Sequence, residues 1–107
     1  MIGVTLNIVL CMVKSRAEAV KISEKLVSEG LAACVSAVPG ASSVYRWKGK
    51  IEKSKEVLLI AKTSNRKLGR LIRRVKELHS YEVPEIIAAK VARGLPEYLR
   101  WVEKSTR

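Results

Sequence analysis

Apolar and polar positions follow two different rhythms along this chain, and the changes of rhythm mark out its elements. The run 4-VTLNIVLCM-12 is β-branched and apolar almost throughout, as in a central strand covered on at least one face. It stops at 14-KSRAE-18, where Ser15 with Glu18 three residues later is a capping-box signal for a helix start. Ala19, Ile22 and Leu26, with Val20 and Val27, recur at helical spacing up to Gly30, which stands where a left-handed C-terminal residue belongs. From Leu31 to Tyr45 the pattern is extended, and Pro39-Gly40 marks a break or bulge because proline cannot donate to a ladder. The stretch 47-WKGKI-51 reads as a hairpin corner with Gly49 supplying the backbone freedom. A further strand, 56-EVLLIAKT-63, runs back, and the two arms are long enough for their tips to project beyond a small core.

The second helical stretch is the cleanest. Ser64 is placed to cap it, and Leu68, Leu71, Ile72, Val75 and Leu78 fall on one face. It ends near His79, because Pro84 and the extended 83-VPEIIAAKV-91 follow. Pro96, at a first helical position, opens a short last helix, 96-PEYLRWVEK-104.

The predicted order is therefore βαββαβ plus a terminal helix. That is an α+β, ferredoxin-like split βαβ with an antiparallel sheet, an extended hairpin between the second and third strands and a short C-terminal helix. At 107 residues the chain forms one domain, 1–107, large enough to hide roughly two thirds of its unfolded surface. Two helices cover one sheet face and none is left for the other. Ile8, Leu59 and Ile87 suggest that neither face is purely polar, and an open apolar face predicts association through the sheet.

Composition adds constraints. The longest apolar runs, 8-IVLCMV-13 and 57-VLLIA-61, fall far short of the ~20 residues that span a bilayer. The N-terminus shows neither a basic region nor a cleavage site of a signal peptide, so a cytoplasmic protein without membrane partners is expected. Lys and Arg number 21 against 10 acids, a net charge of +11. Every acid is Glu, Gln is absent, and Asn occurs only as Asn7 and Asn65. Enrichment in Lys, Arg and Glu with few amides points to a thermophilic source, and a thermostable protein melting above about 60 °C is expected. Cys11 and Cys34 do not make a scaffold, and in a heat-adapted cytosol they are either free thiols or a disulfide.

The motifs then converge on a family. LVSEGLAACVSAVPGASSVYRWKGKIE, EVLLIAKT, HSYEVPEIIA and PEYLRW, in that order from Val9 to Trp101, resemble the CutA family, the divalent-cation-tolerance proteins. The resemblance implies a ferredoxin-like subunit in a compact homotrimer whose hairpin arms pair between neighbours. Tyr45 and Trp47 would then be rigid anchors at the trimer interface, where the blander reading has them capping the monomer's core. It also implies divalent metal as a ligand, copper above all and zinc next, with no tightly bound cofactor. Family ligands, a Cys ending the first strand and a His before a Pro-Tyr motif, match Cys11 and His79 here. Thiolate and imidazole suit copper and zinc better than magnesium.

The departures from the pattern are local. This chain has 78-LHSY-81 where the family often has His-Pro-Tyr, and 12-MVKS-15 where small and acidic residues are usual. One Cys and one His are too few for a closed tetrahedral site, so Met12, Glu85, water or a neighbouring subunit must contribute. Without metal, His79 is a side chain at a helix C-terminus, favoured there as a cation by the dipole, and Cys11 a buried strand residue. Tyr81, Pro84 and Glu85 form a second candidate, an inter-subunit cleft for a small ligand; otherwise they are a structural turn.

Two other classes compete. Arg66, Lys67, Arg70, Arg73, Arg74 and Lys76 stripe the second helix and would bind nucleic acid non-specifically at low salt. The chain has no Phe and none of the paired strand aromatics with which ferredoxin-like RNA binders stack bases. A trimeric small-ligand sensor of the PII type shares the architecture, but Gly40 and Gly49 are isolated corners and no phosphate loop is present. With one His and no Asp, an enzyme is not expected.

Overall fold

β1 (Leu6–Val13), α1 (Arg16–Ser28), β2 (Cys34–Trp47), β3 (Lys50–Ser64), α2 (Asn65–Leu78), β4 (Ile86–Lys90) and α3 (Pro96–Ser105) succeed one another in a computed structural model that describes residues 5–107. Val4, the first residue of the expected N-terminal strand, lies outside the described residues. The strands form one sheet in the order β2-β3-β1-β4, antiparallel at every ladder. This is the ferredoxin-like arrangement of a βαββαβ chain. Among the described residues no helix is long and apolar enough to cross a membrane.

Local chemistry explains the helix ends. The Ser15 hydroxyl accepts the Glu18 N–H at 3.1 Å and starts α1. At its other end the Leu31 N–H returns to the Leu26 carbonyl and the Gly30 N–H to that of Val27, a Schellman motif that needs Gly30 at φ 72°. The expected Ser64 cap of α2 does not form. Ser64 is the last residue of β3, paired with Leu6, and its buried hydroxyl has no hydrogen-bond partner among the described residues. The Asn65 N–H finds the Thr5 carbonyl at 2.9 Å instead, so a strand neighbour replaces the side-chain cap.

Side chains alternate across a strand. Val9, Cys11 and Val13 of β1 and Val57, Leu59 and Ala61 of β3 therefore share one face, where they pack with Ile22 and Leu26 of α1 and Leu71 and Val75 of α2. The opposite face is not left entirely bare, which corrects the expectation from the sequence. On it Val102 and Leu99 of α3 pack with Leu6, Ala33 and Val91. α3 is amphipathic and short, so it covers only one end; Leu10, Met12, Leu58 and Ile60 stay half-buried, and Val38 and Ile87 exposed. β4 is shorter than 83–91 as well. Val83, Pro84 and Glu85 lie in the loop before it, because proline offers no N–H to the ladder and pairing with β1 begins only at Cys11↔Ile86.

The hairpin projects. β1 last pairs with β3 at Val57, while β2 and β3 continue together to the Trp47↔Lys50 pair. Val38 faces Leu58 but Ala41 faces Glu56, so β2 carries one extra residue, a bulge at Pro39-Gly40 with Gly40 at φ 83°. Lys48 and Gly49 turn the corner at φ 50° and 79°, the positive pair of a two-residue type I′ loop. The arm stretches the molecule to 50 Å against 25 and 22 Å. A two-stranded ribbon is marginal on its own, and Val44 and Ile51 are 66% and 59% exposed on it.

Candidate metal and ligand site

The end of β1, the end of α2 and the base of the arm meet at one place. Cys11 Sγ lies 3.8 Å from the Met12 carbonyl oxygen, and His79 Nε2 lies 2.7 Å from the same oxygen. The fold thus gathers the two sequence-predicted donors around one carbonyl, 67 residues of chain apart for His79 and Met12. His79 stands immediately after the last turn of α2 and is buried. Its Nδ1 accepts the Tyr81 N–H at 3.1 Å, so Nε2 carries the hydrogen donated to Met12. Both ring nitrogens are therefore committed within the chain. Cys11 belongs to the core face, where burial first, and then the charges of Glu18, Glu85 and Glu56, push its thiol up to about 12. It is a thiol and not a thiolate at neutral pH. Among the described residues no three His, Cys or Glu side chains come together as an ion site, so the chain by itself supplies two donors.

Beside this pair a cleft of about 870 Å³ opens between the arm and the loop that precedes β4. Met12, Tyr81 and Glu85 line it, with Tyr45 and Trp47 on the arm side. Neither arm aromatic caps the core; each is about half exposed. Pro84 is half-buried in the loop, two residues before β4. Tyr81 tilts against the His79 ring with centroids 4.8 Å apart, and its hydroxyl donates to Glu56 Oε2 at 2.7 Å. Burial first, then that bond and the Glu56 charge, raise the Tyr81 phenol above its usual range, which keeps it a donor.

Two further site residues are not evident from local pattern. Glu56 opens the run 56-EVLLIAKT-63 in phase with Leu58 and Ile60, so it points to the same sheet face as Met12; that phase is the one available signal. Glu18 reads as a capping-box residue, yet its carboxylate accepts the Lys14 N–H at 3.3 Å and the Ser80 N–H at 2.9 Å. It ties the start of α1 to the site loop. Nothing near Glu18 in the sequence announces Ser80, 62 residues away. The basic stripe of α2 is partly consumed: Arg74 forks onto Glu29 with two 2.9 Å bonds, and Arg66 pairs with Glu103.

Fold and site define a ferredoxin-like domain with a projecting hairpin and, at its base, a cleft lined by phenol and carboxylate groups beside the Cys11 thiol and the His79 imidazole. The chain belongs to the CutA family: residues 7–105 match the family described as CutA1 divalent ion tolerance protein. It is 46% identical to the divalent-cation tolerance protein CutA of Thermus thermophilus over 94% of this chain and 97% of that one. With the Escherichia coli protein of the same description, strain HS, identity is 38% over 94% and 89%. The chain spans only about half the length of the chloroplastic Arabidopsis thaliana relative, at 43% identity over 94% of this chain and 55% of that one. The solved Thermus thermophilus structure superposes with a TM-score of 0.93 at 45% identity, covering 95% of this chain and 99% of that one. CutA1 from Oryza sativa gives 0.94 at 41%, covering 98% and 96%.

Proposed function

We propose that this chain is a cytoplasmic homotrimer that binds divalent metal ions, copper first and zinc second, as an exchangeable cargo in the service of metal tolerance. The reading is of a binding protein and not of an enzyme. The observation that carries it is the convergence of Cys11 and His79 on the carbonyl of Met12, a residue whose neighbours in the adjoining cleft include Tyr81 and Glu85. Copper competes well for sulfur and imidazole, and it must displace the thiol proton and one hydrogen bond of His79. Binding is therefore expected to be pH-dependent and weaker than in a preformed site. Two donors leave room for a third from Glu85, water or a neighbouring subunit. The half-bare sheet face and the exposed arm favour association, with Tyr45 and Trp47 as anchors between subunits; large aromatics are the usual anchors of interfaces. The two free thiols fit a reducing compartment.

Calorimetric titration of Cu2+ into wild type and the Cys11→Ala, His79→Ala double variant tests the reading. The variant is expected to bind at least about tenfold more weakly, the loss of about 1.4 kcal/mol or more. Equal affinity would remove the metal reading. Light scattering on the same wild-type sample in high salt, which screens charge-driven association, is expected to give about three times the 11.9 kDa of one chain.

A further inference from the structure

We propose that Tyr81 gates the Cys11–His79 pair: its backbone N–H occupies the one lone pair that His79 has to offer a metal, and the bond from its hydroxyl to Glu56 keeps that N–H in place. The proposal rests on the metal reading above and deepens it. A backbone N–H can only donate, so the 3.1 Å contact from Tyr81 to His79 Nδ1 makes Nδ1 the ring's acceptor. The ring proton is then on Nε2, which donates to the Met12 carbonyl at 2.7 Å. A neutral imidazole has a single in-plane lone pair, and it ligates metal through that pair. Coordination at Nδ1 takes the place of the Tyr81 N–H directly. Coordination at Nε2 sends the remaining ring proton to Nδ1, where it meets the Tyr81 N–H donor to donor. By either route the Tyr81 N–H has to withdraw, so capture of a metal is coupled to a movement of Tyr81.

What resists that movement sits at the far end of the same side chain. Residues 79–85 form neither helix nor strand, so side-chain bonds place the loop between α2 and β4. Two buried carboxylates hold it. Glu18 of α1 accepts the Ser80 N–H at 2.9 Å. That N–H belongs to the peptide directly after His79, so Glu18 holds the imidazole itself. Glu56 of β3, only 6% exposed, accepts the Tyr81 hydroxyl at 2.7 Å, and so holds the residue that blocks the imidazole. Hydrogen bonds to carboxylates are stronger than those between neutral groups, which suits an anchor. The tyrosine ring lies against the imidazole, with centroids 4.8 Å apart, and joins the anchored hydroxyl to the blocking N–H. Loosening the Glu18 anchor misplaces the donor, whereas loosening the Glu56 anchor uncovers it. The two carboxylates therefore act on metal affinity with opposite signs.

The test is titration of Zn2+, a diamagnetic probe, into the whole protein as wild type, Tyr81→Phe and Cys11→Ala, followed by calorimetry and NMR. The chain has one histidine, so its imidazole nitrogens are read without overlap. Before metal is added, the imidazole is expected to carry its proton on Nε2. The amide at position 81 is expected to exchange about tenfold faster in Tyr81→Phe than in wild type, because local opening sets exchange. On saturation with Zn2+ the wild-type amide at position 81 is expected to lose its protection. Tyr81→Phe keeps the ring and removes only the hydroxyl. It is expected to bind Zn2+ about three- to tenfold more tightly than wild type, because apparent affinity scales with the fraction of protein in the open form. Affinity equal to or below that of wild type overturns the gate and leaves Tyr81 a mere support of the site. If Tyr81→Phe fails to fold, the wild-type amide decides alone. Zn2+ that binds wild type, is lost in Cys11→Ala and leaves the amide at position 81 protected overturns the gate and leaves the metal reading standing. Failure of Zn2+ to bind either wild type or Tyr81→Phe overturns the metal reading and the gate with it.

Discussion

Leu71→Ala is expected to lower the stability of the folded chain by about 2–5 kcal/mol, the usual loss on opening a cavity in a well-packed core. Leu71 is fully buried and, with Val75, is one of two α2 residues wholly inside the main core. Leu68 and Leu78 pack against the same core only in part, so Leu71 and Val75 contribute most to holding the helix on the sheet. A domain of this size loses roughly 4–8 °C of melting temperature per kcal/mol, so a drop of at least about 8 °C is expected at fixed protein concentration. Gly69→Ala, two residues earlier, is expected to act in the opposite direction. Its new methyl would meet only Arg73 Nη1 at 3.7 Å, and alanine exceeds glycine in a helix by about 0.8–1.0 kcal/mol. Opposite signs on one helix separate the packing effect from the backbone effect. Equal, small effects from both substitutions would mean that α2 is not held by its apolar face. The consequence reaches the site, because His79 follows the last turn of α2 directly and its ring position is fixed by where that helix ends.

The features that could be read from sequence are those written within a turn or two of chain. The spacing of Leu68, Leu71, Ile72, Val75 and Leu78 specifies α2, Gly30 its left-handed cap position after α1, Pro39-Gly40 the bulge, and Lys48-Gly49 the corner. Each is a local steric or periodic requirement that survives in any tertiary setting. What could not be read depends on partners far along the chain. Ser64 looks like a cap until β1 lies beside it and takes the chain ends into a ladder with Leu6. α3 is legible as a short helix opened by Pro96, but its docking place is not, because Leu6 and Ala33, which offer it the other sheet face, lie far back along the chain. The site divides in the same way. Cys11, His79, Tyr81 and Glu85 are visible as residue types that bind metal or ligand, and a resemblance supplies the pairing of Cys11 with His79. Glu56 was hidden because a Glu at the start of an apolar strand usually points to water. Burial at that position comes from the Tyr81 loop, 25 residues on, and no local pattern encodes it.

Glu18 links those local and distant levels, and its titration should be visible in the stability of the whole protein. Burial by itself would raise its carboxyl. The hydrogen bonds from Ser80 and from the Lys14 N–H, together with the nearby His79 ring, outweigh burial and hold it below the ordinary value. A carboxyl depressed in the folded state stabilises the protein once the pH exceeds its unfolded value, near about 4.3 for Glu. That stabilisation is lost as pH falls through the lower folded value. Wild-type stability is therefore expected to be flat from this source between pH 5 and 7 and to decline below about pH 4. Glu18→Gln is the informative change. The two carboxylate oxygens each serve a different N–H, Oε1 that of Lys14 and Oε2 that of Ser80, whereas an amide has a single acceptor. One N–H must then face an NH2 group. With Glu18 only 9% exposed, water cannot readily replace the lost bond, and a destabilisation of about 1.5–3 kcal/mol is expected at pH 7. Denaturant unfolding of both proteins at pH 7 and at pH 3 decides the matter. The gap between them should be largest at pH 7 and shrink at pH 3, where the wild-type carboxylate is also being protonated. A gap of the same size at both pH values would show that the charge of Glu18 contributes nothing and that its role is shape alone. Because Ser80 lies between His79 and Tyr81, the variant is further expected to weaken copper binding at pH 7 even though Glu18 lies outside the proposed donor set.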